Sequence, residues 1–267
     1  MDKEYGDQMA NGNYEIMLKT SLPEGATVLP TVWQFKQKRD LRTGAIKKHK
    51  ARLCLDGSKQ TKGVDFWETY APVATWNSIR VLLIMSLLHG WHTKQLDYVQ
   101  AFPQAPPETQ LYVRLPAGIY LDGGITSATH VMKVLRNVYG SKQAGRTFNK
   151  YLVAKLTSIG FKQSQVDACV FYKGRMVYVL YTDDSILAGP DLKEINAAIK
   201  EMKKVKLDIT VEGDLLDFLG VNIDRLPNGS YHLSQPKLID SILDDLRLSG
   251  DNVVAKSTPM SSSKLLS

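Results

Sequence analysis

The sequence predicts an α+β fold in which antiparallel hairpins alternate with amphipathic helices. Three observations carry this reading. Short runs of period-two apolar alternation end in turns rich in Gly, Asn or Pro. Between them lie stretches whose apolar residues recur at spacings of three and four. The strand-like run VYVLYTDDSILAG, residues 177–189, is interrupted by two adjacent aspartates, Asp183 and Asp184.

The first thirty residues are mixed, with turn signals at NGN (11–13) and PEG (23–25). In TVWQFKQKRDLRTGAIKKHKARLCLDG, Val32, Gln34 and Lys36 alternate with Trp33 and Phe35. An RTG turn at 42–44 then makes a two-stranded hairpin, basic on both strands. A helix is predicted over 77–88, capped by Thr75 or Asn77 and stopped at Gly90. Its apolar residues Ile79, Val81, Leu82, Leu83, Met85 and Leu87 lie on nearly every side, so burial all round is expected. A strand ends near Asp97, and QLYVRLPAG from Gln110 reads as a short strand closed by Pro116 and Gly118. Over 142–161, Ala144, Phe148, Leu152, Leu156 and Ile159 line one helix face, with Gly160 as stop. A hairpin turned at Lys173 and Gly174 runs into the paired aspartates. A helix behind Asp191, a second hairpin turned at PNGS (227–230) and a helix from Pro236 complete the pattern.

Composition narrows the function. The chain has 267 residues, 43% apolar and 23% charged, which is ordinary for a globular protein. Its two cysteines, Cys54 and Cys169, are far apart and belong to no Cys/His cluster, so neither a disulfide framework nor a structural zinc site is expected. The longest apolar stretch, VLLIMSLL (81–88), is too short to span a bilayer, and no membrane partner is expected. Charge is uneven. Between Trp33 and Lys62 stand ten Lys or Arg against Asp40 and Asp56, a local balance of +8 in a chain whose total is +7. Such a block attracts polyanions without sequence preference, although a solvated basic hairpin would read the same way.

Asp183 and Asp184 sit where strand pattern yields to a tight turn. An acidic pair is a hard-oxygen donor set suited to Mg²⁺, which keeps waters and accepts phosphates, but aspartates are also ordinary turn residues. Asp97, a lone carboxylate ending another apolar strand, strengthens the metal reading, because three carboxylates from neighbouring strand ends could serve an in-line phosphoryl displacement. The sequence leaves open whether those strands adjoin.

Several ordered blocks resemble copia-type retrotransposon reverse transcriptases: KARLCLDGSKQTKGVDFWETYAPVATWNSIR, QLDYVQAF, YGSKQAGRTF, VYVLYTDDSIL and FLGVNI…YHLSQPKLIDSIL. The resemblance covers roughly residues 33–258. It implies a right-hand polymerase, with basic fingers, an antiparallel palm sheet backed by helices and a partial thumb or connection. The corresponding organisation is an N-terminal extension (1–30), a fingers-like basic hairpin region (31–75), a palm (76–225), a primer-grip or thumb-like end (226–258) and a tail (259–267).

The resemblance also assigns roles. Asp97, Asp183 and Asp184 match the catalytic, metal-binding carboxylates and would hold two Mg²⁺, with Mn²⁺ as the alternative ion. Lys50 and Arg52 match basic residues at the triphosphate, and Phe102 the ring beneath the incoming sugar. Lys142 and Gln143 match the KQA block near the nascent base pair. Tyr181 would lie under the primer end or in the palm core, and Lys47 and Lys48 would contact nucleic acid. The implied activity is RNA-directed DNA polymerisation from dNTPs on an RNA template and a DNA primer. Integrase and ribonuclease H segments of the same polyprotein are expected partners, and a cytoplasmic virus-like particle the expected location.

Departures from the family pattern are Thr182 for valine, Ser141 for leucine, Gly145 for proline, Phe148 for tryptophan and Pro103 for leucine, with Cys54 and Asp56 altering the ARLVAKG strand. None removes a metal ligand, but together they keep open a weakly active or inactive nucleic-acid-binding remnant. A nucleotide cyclase, another palm-type phosphoryl transferase, fits less well, because it would not account for the basic hairpin or the YGSKQAG block.

Overall fold

The computed structural model describes residues 1–39, 45–215 and 217–248. The expected turn at 42–44, the charges of Asp40 and Arg42, and everything beyond 248 lie outside the described residues. The chain divides after Asp214 into two compact units.

In the first unit, α1 (Asp2–Ala10) leads into β1 (Tyr14–Leu18), β2 (Val28–Leu29) and a long hairpin of β3 (Thr31–Arg39) and β4 (Ile46–Leu55). Then come α2 (Trp76–Leu88), β5 (His92–Tyr98), β6 (Tyr112–Val113), β7 (His130–Val134) and α3 (Ala144–Ser158). After these lie β8 (Lys162–Gln163), β9 (Val170–Lys173), β10 (Met176–Tyr181), β11 (Asp184–Gly189), α4 (Leu192–Lys204) and β12 (Ile209–Gly213). The second unit contains β13 (Asp217–Phe218), β14 (Val221–Arg225), β15 (Tyr231–Ser234) and α5 (Pro236–Asp245). The fold is thus α+β, as the alternation of periods predicts.

Six strands of the first unit form one sheet in the order β12-β5-β11-β10-β9-β8, with every neighbouring pair antiparallel. Inserting β5 between β11 and β12 joins segments almost ninety positions apart, as in the pair Asp97 and Asp184. On one face, the Tyr98 and Tyr178 hydroxyls meet at 2.8 Å. Phe148 of α3 packs edge-on against Tyr98, and Phe161 and Phe171 pack edge-on against Tyr178. Ala144, Phe148, Leu152 and Leu156 are all buried, as their spacing predicts. Each large side chain buried in this way contributes about 1.5–3 kcal/mol of hydrophobic stabilisation.

Two expectations are corrected. The helix α2 is buried on one side only, through Ile79, Leu82, Leu83 and Ser86; Val81, Ile84, Met85 and Leu88 are exposed. Those four fall on one stripe at 3.6 residues per turn, so apolar content alone did not indicate which faces meet the core. The β9–β10 turn is Gly174–Arg175, because Lys173 already pairs with Met176, and Gly174 takes φ +58° at the first loop position.

The first thirty residues are built into a second sheet, β1-β7-β6-β2, whose only parallel pair is β2 with β6. Its core joins Tyr5 of α1, Tyr14, Leu29, Met132 and Val134 to Leu53 and Leu55 at the end of β4. That anchors the basic hairpin at one end. In the second unit β13-β14-β15 form an antiparallel sheet, and Leu238, Ile239 and Ile242 of α5 are exposed. No helix among the described residues is long and apolar enough to cross a membrane.

Candidate active site

Asp97 lies directly opposite Asp184 in the β5–β11 register. Asp184 also closes the β10–β11 hairpin opposite Tyr181, and Thr210 of β12 faces Asp97 from the other side. Residues opposite one another in an antiparallel pair share a face, so Thr210, Asp97, Asp184 and Tyr181 form one row across the sheet. Asp183 occupies the two-residue turn, where its carbonyl accepts from Tyr98 N at 3.3 Å. All three carboxylates are half-buried, whereas Ser185–Gly189 of β11 is buried throughout. The acidic row therefore marks the end of the sheet where the apolar cover stops. The adjacency left open by the sequence is present.

These are hard oxygen donors of the kind Mg²⁺ takes together with water and phosphate oxygens, so donor chemistry and register fit a divalent ion. Among the described residues no three His, Cys, Asp or Glu side chains close into a metal-holding cluster.

The other turn residue, Thr182, has φ +57°. For a β-branched side chain the left-handed region is a genuine outlier, costing on the order of 1–3 kcal/mol. Asparagine tolerates this region far better. Thr182→Asn is therefore expected to raise stability by about 1 kcal/mol in urea unfolding, whereas Thr182→Val gains nothing. Equal midpoints for the Asn variant and the parent would contradict the strain.

On the hairpin, Gln34 pairs with Arg52 and Lys36 with Lys50, placing Lys36, Lys50 and Arg52 on one face. Trp33 and Phe35 stack on the other, with centroids 6.3 Å apart. Lys48 shares the Arg52 face by alternation. Lys47 is the extra residue of a bulge, since Lys38 pairs with Lys48 and Arg39 with Ile46. A groove of 560 Å³ is lined by Gln34, Phe35, Lys36, Lys50 and Arg52.

The residue joining these parts was missed in the sequence reading. The Arg52 guanidinium lies over the Tyr139 ring, 5.0 Å from its centroid. The same ring packs against Phe102 at 5.3 Å, and Phe102 leans on Phe148 at 6.4 Å. Burial pushes the Tyr139 hydroxyl above its ordinary pKa; Arg52 pulls the other way, and Asp183, Glu4 and Asp97 add to the rise. Tyr139 thus stands between the basic hairpin and the acidic row. Its only sequence signal was membership of the YGSKQAG block.

Two glycines hold that block to the hairpin. A Cβ on Gly140, itself at φ +85°, would fall 2.0 Å from the Leu55 carbonyl oxygen, and one on Gly57 would fall 2.2 Å from the Gly140 oxygen. Leu55 N donates to Tyr139 O at 2.8 Å within this crossing. Beside it, Gln60 Nε2 donates to Gln143 Oε1 at 3.0 Å and Gln143 Nε2 to Asp65 O at 3.2 Å. Ser141 Oγ also donates to Gln143 Oε1, and Lys142 N donates to Gln60 Oε1 at 2.8 Å. Gln143 is 1% exposed, so its carboxamide works inside the chain. The Lys142 ammonium lies over Phe66 at 4.8 Å.

The first unit thus holds a carboxylate row at one end of its six-stranded sheet and a basic hairpin whose Arg52 lies over Tyr139. Residues 14–262 match the family described as reverse transcriptase (RNA-dependent DNA polymerase), and the chain belongs to that family. It is 30% identical to the retrovirus-related Pol polyprotein from transposon TNT 1-94 of Nicotiana tabacum, over 97% of this chain and 19% of that protein. It is equally 30% identical to the Pol polyproteins from transposons RE1 and RE2 of Arabidopsis thaliana, over 100% of this chain and 18% of each. The copia-type resemblance is borne out by these relatives, and the chain spans less than a fifth of their length.

Proposed function

We propose that this chain is the polymerase segment of a copia-type Pol polyprotein and catalyses RNA-directed DNA synthesis, joining a deoxynucleotide to a primer 3′-hydroxyl. The observation that carries this reading is the register of Asp97 against Asp184 at the turn that presents Asp183. Asp97, Asp183 and Asp184 would hold two Mg²⁺ or Mn²⁺. Bound there, such ions would supply charge neutralisation at the triphosphate and acidify the primer hydroxyl. In this reading the six-stranded sheet is the palm and the β3–β4 hairpin belongs to the fingers.

The protein's own groups do the rest. Arg52 offers a planar fork to triphosphate oxygens, and its contact with Tyr139 fixes the orientation of that fork. Lys50 adds charge on the same face. Phe102, held by Tyr139 and Phe148, serves as the wall beneath the sugar. Tyr181, in the acidic row, supports the primer end. Lys47, Lys48 and Lys142 contribute sequence-independent attraction to the template–primer backbone. Gln143 acts indirectly, by keeping the 60–65 loop against the Lys142 turn. Integrase and ribonuclease H segments of a longer polyprotein, working in a cytoplasmic particle, complete the reading.

A second reading, a nucleic-acid-binding remnant with little turnover, is favoured by the strained Thr182 beside the carboxylates. Primer extension on an RNA template with Mg²⁺ separates the two. The parent is expected to extend the primer and the Asp183→Asn, Asp184→Asn double variant to fail while still binding template–primer. A folded parent that binds template–primer without extending it would favour the remnant.

A further inference from the structure

A cleft of 340 Å³, lined by none of the three carboxylates and by no residue of the basic hairpin, opens beside the exit of β5, within the size range of small-ligand sites. Asn13, Gln100, Arg136, Tyr151, Lys206 and Asp208 contribute to its lining. We propose that this cleft binds a small phosphate-bearing ligand.

Charge points to an anion. Arg136 and Lys206 stand against the single carboxylate of Asp208, and among the described residues neither cation is engaged in an ion pair. An arginine fork beside a lysine suits phosphate oxygens, and the Tyr151 ring offers a flat wall to an attached organic body. Asn13 is 1% exposed, and neither its carboxamide nitrogen nor its oxygen has a partner. A buried amide with both groups unused is uncommon in a folded chain, and a ligand in the cleft it lines would give it partners.

The backbone points the same way. Gln100 at φ +47° and Lys206 at φ +66° are two of the five non-glycine residues in the left-handed region among the described residues, and both line this cleft. Strain of this kind persists where the surroundings hold it and clusters at ligand sites. Here Val99 N donates to Asp208 O at 3.0 Å, and Gln104 Nε2 donates to both Val99 O and Asp208 O at 2.8 Å. The rim is therefore preformed. None of these residues is used by the polymerase reading, so the proposal does not depend on it.

The test is a titration of the whole chain, carrying Lys50→Gln and Arg52→Gln to silence the hairpin, with a chelator present to exclude metal-dependent binding. Pyrophosphate and adenosine monophosphate are the two probes. The expected result is saturable one-site binding of at least one probe, with the Asn13 side-chain amide signals shifting in NMR. Arg136→Gln and Lys206→Gly should each weaken it at least tenfold; glycine also relieves the left-handed strain, so that variant should stay folded. A preference for the nucleotide would assign an organic phosphate ester, and a preference for pyrophosphate the inorganic anion. Absence of saturable binding, or unchanged affinity in both cleft variants, would overturn the proposal.

Discussion

Gly140→Ala is expected to lower the unfolding free energy by about 3 kcal/mol, read as a clear drop in urea midpoint. Two costs add. An L side chain at φ +85° is strained by on the order of 1–3 kcal/mol. Its Cβ would also meet the Leu55 carbonyl oxygen at 2.0 Å, and that oxygen belongs to a strand end fixed in the second core. Overpacking of this kind typically adds roughly 1–3 kcal/mol. Because the neighbour is backbone, relief requires β4 to move, which would carry Arg52 away from Tyr139. Gly145→Ala provides the contrast. Gly145 lies in the first turn of α3, its Cβ would meet only Ala71 Cβ at 3.9 Å, and the helix gains from losing a glycine. That variant is expected to be as stable as the parent or up to about 1 kcal/mol more so. Equal destabilisation of the two would contradict the backbone crossing.

Asp97→Asn should reduce kcat for nucleotide addition by about 10³-fold, roughly 4 kcal/mol of transition-state stabilisation. The substitution is nearly isosteric and leaves β5 its neighbours β11 and β12, so the fold and template–primer affinity should persist. In the proposed reading the carboxylate row acts on transition-state charge, so kcat rather than KM should carry the loss. Arg52→Gln should show the complementary pattern, with dNTP KM rising and kcat less affected. A variant at Asp97 that keeps parental kcat would remove that residue from the site.

Much of this was legible in the sequence, for local reasons. Continuous apolar runs marked β10 and β11, period-two alternation marked the β3–β4 hairpin, and the 144/148/152/156 spacing marked the buried face of α3. The three carboxylates were identifiable because charged residues interrupt apolar strand patterns. Their adjacency was not, since β5 reaches β11 through a long-range pairing with no local signature. The exposed stripe on α2 was hidden because apolar residues occupied both its faces. Tyr139 was passed over because an aromatic in a turn has no periodic context. The resemblance placed Gln143 near the nascent base pair, and the bonds of its carboxamide to Ser141, Gln60 and Asp65 had no local signal. Gly57 and Gly140 carry no local signal of the backbone crossing they allow.

The central claim is that the Asp97–Asp184 cross-strand pair, with Asp183, is where divalent ions are held during synthesis. Its most direct test is Mn²⁺ binding, followed by water-proton relaxation, in the complex with an RNA template, a terminated DNA primer and the next dNTP. The account predicts saturable ion binding by the parent, weakened at least tenfold in Asp97→Asn and in Asp184→Asn with template–primer still bound. Identical Mn²⁺ affinity in the parent and both variants would contradict it.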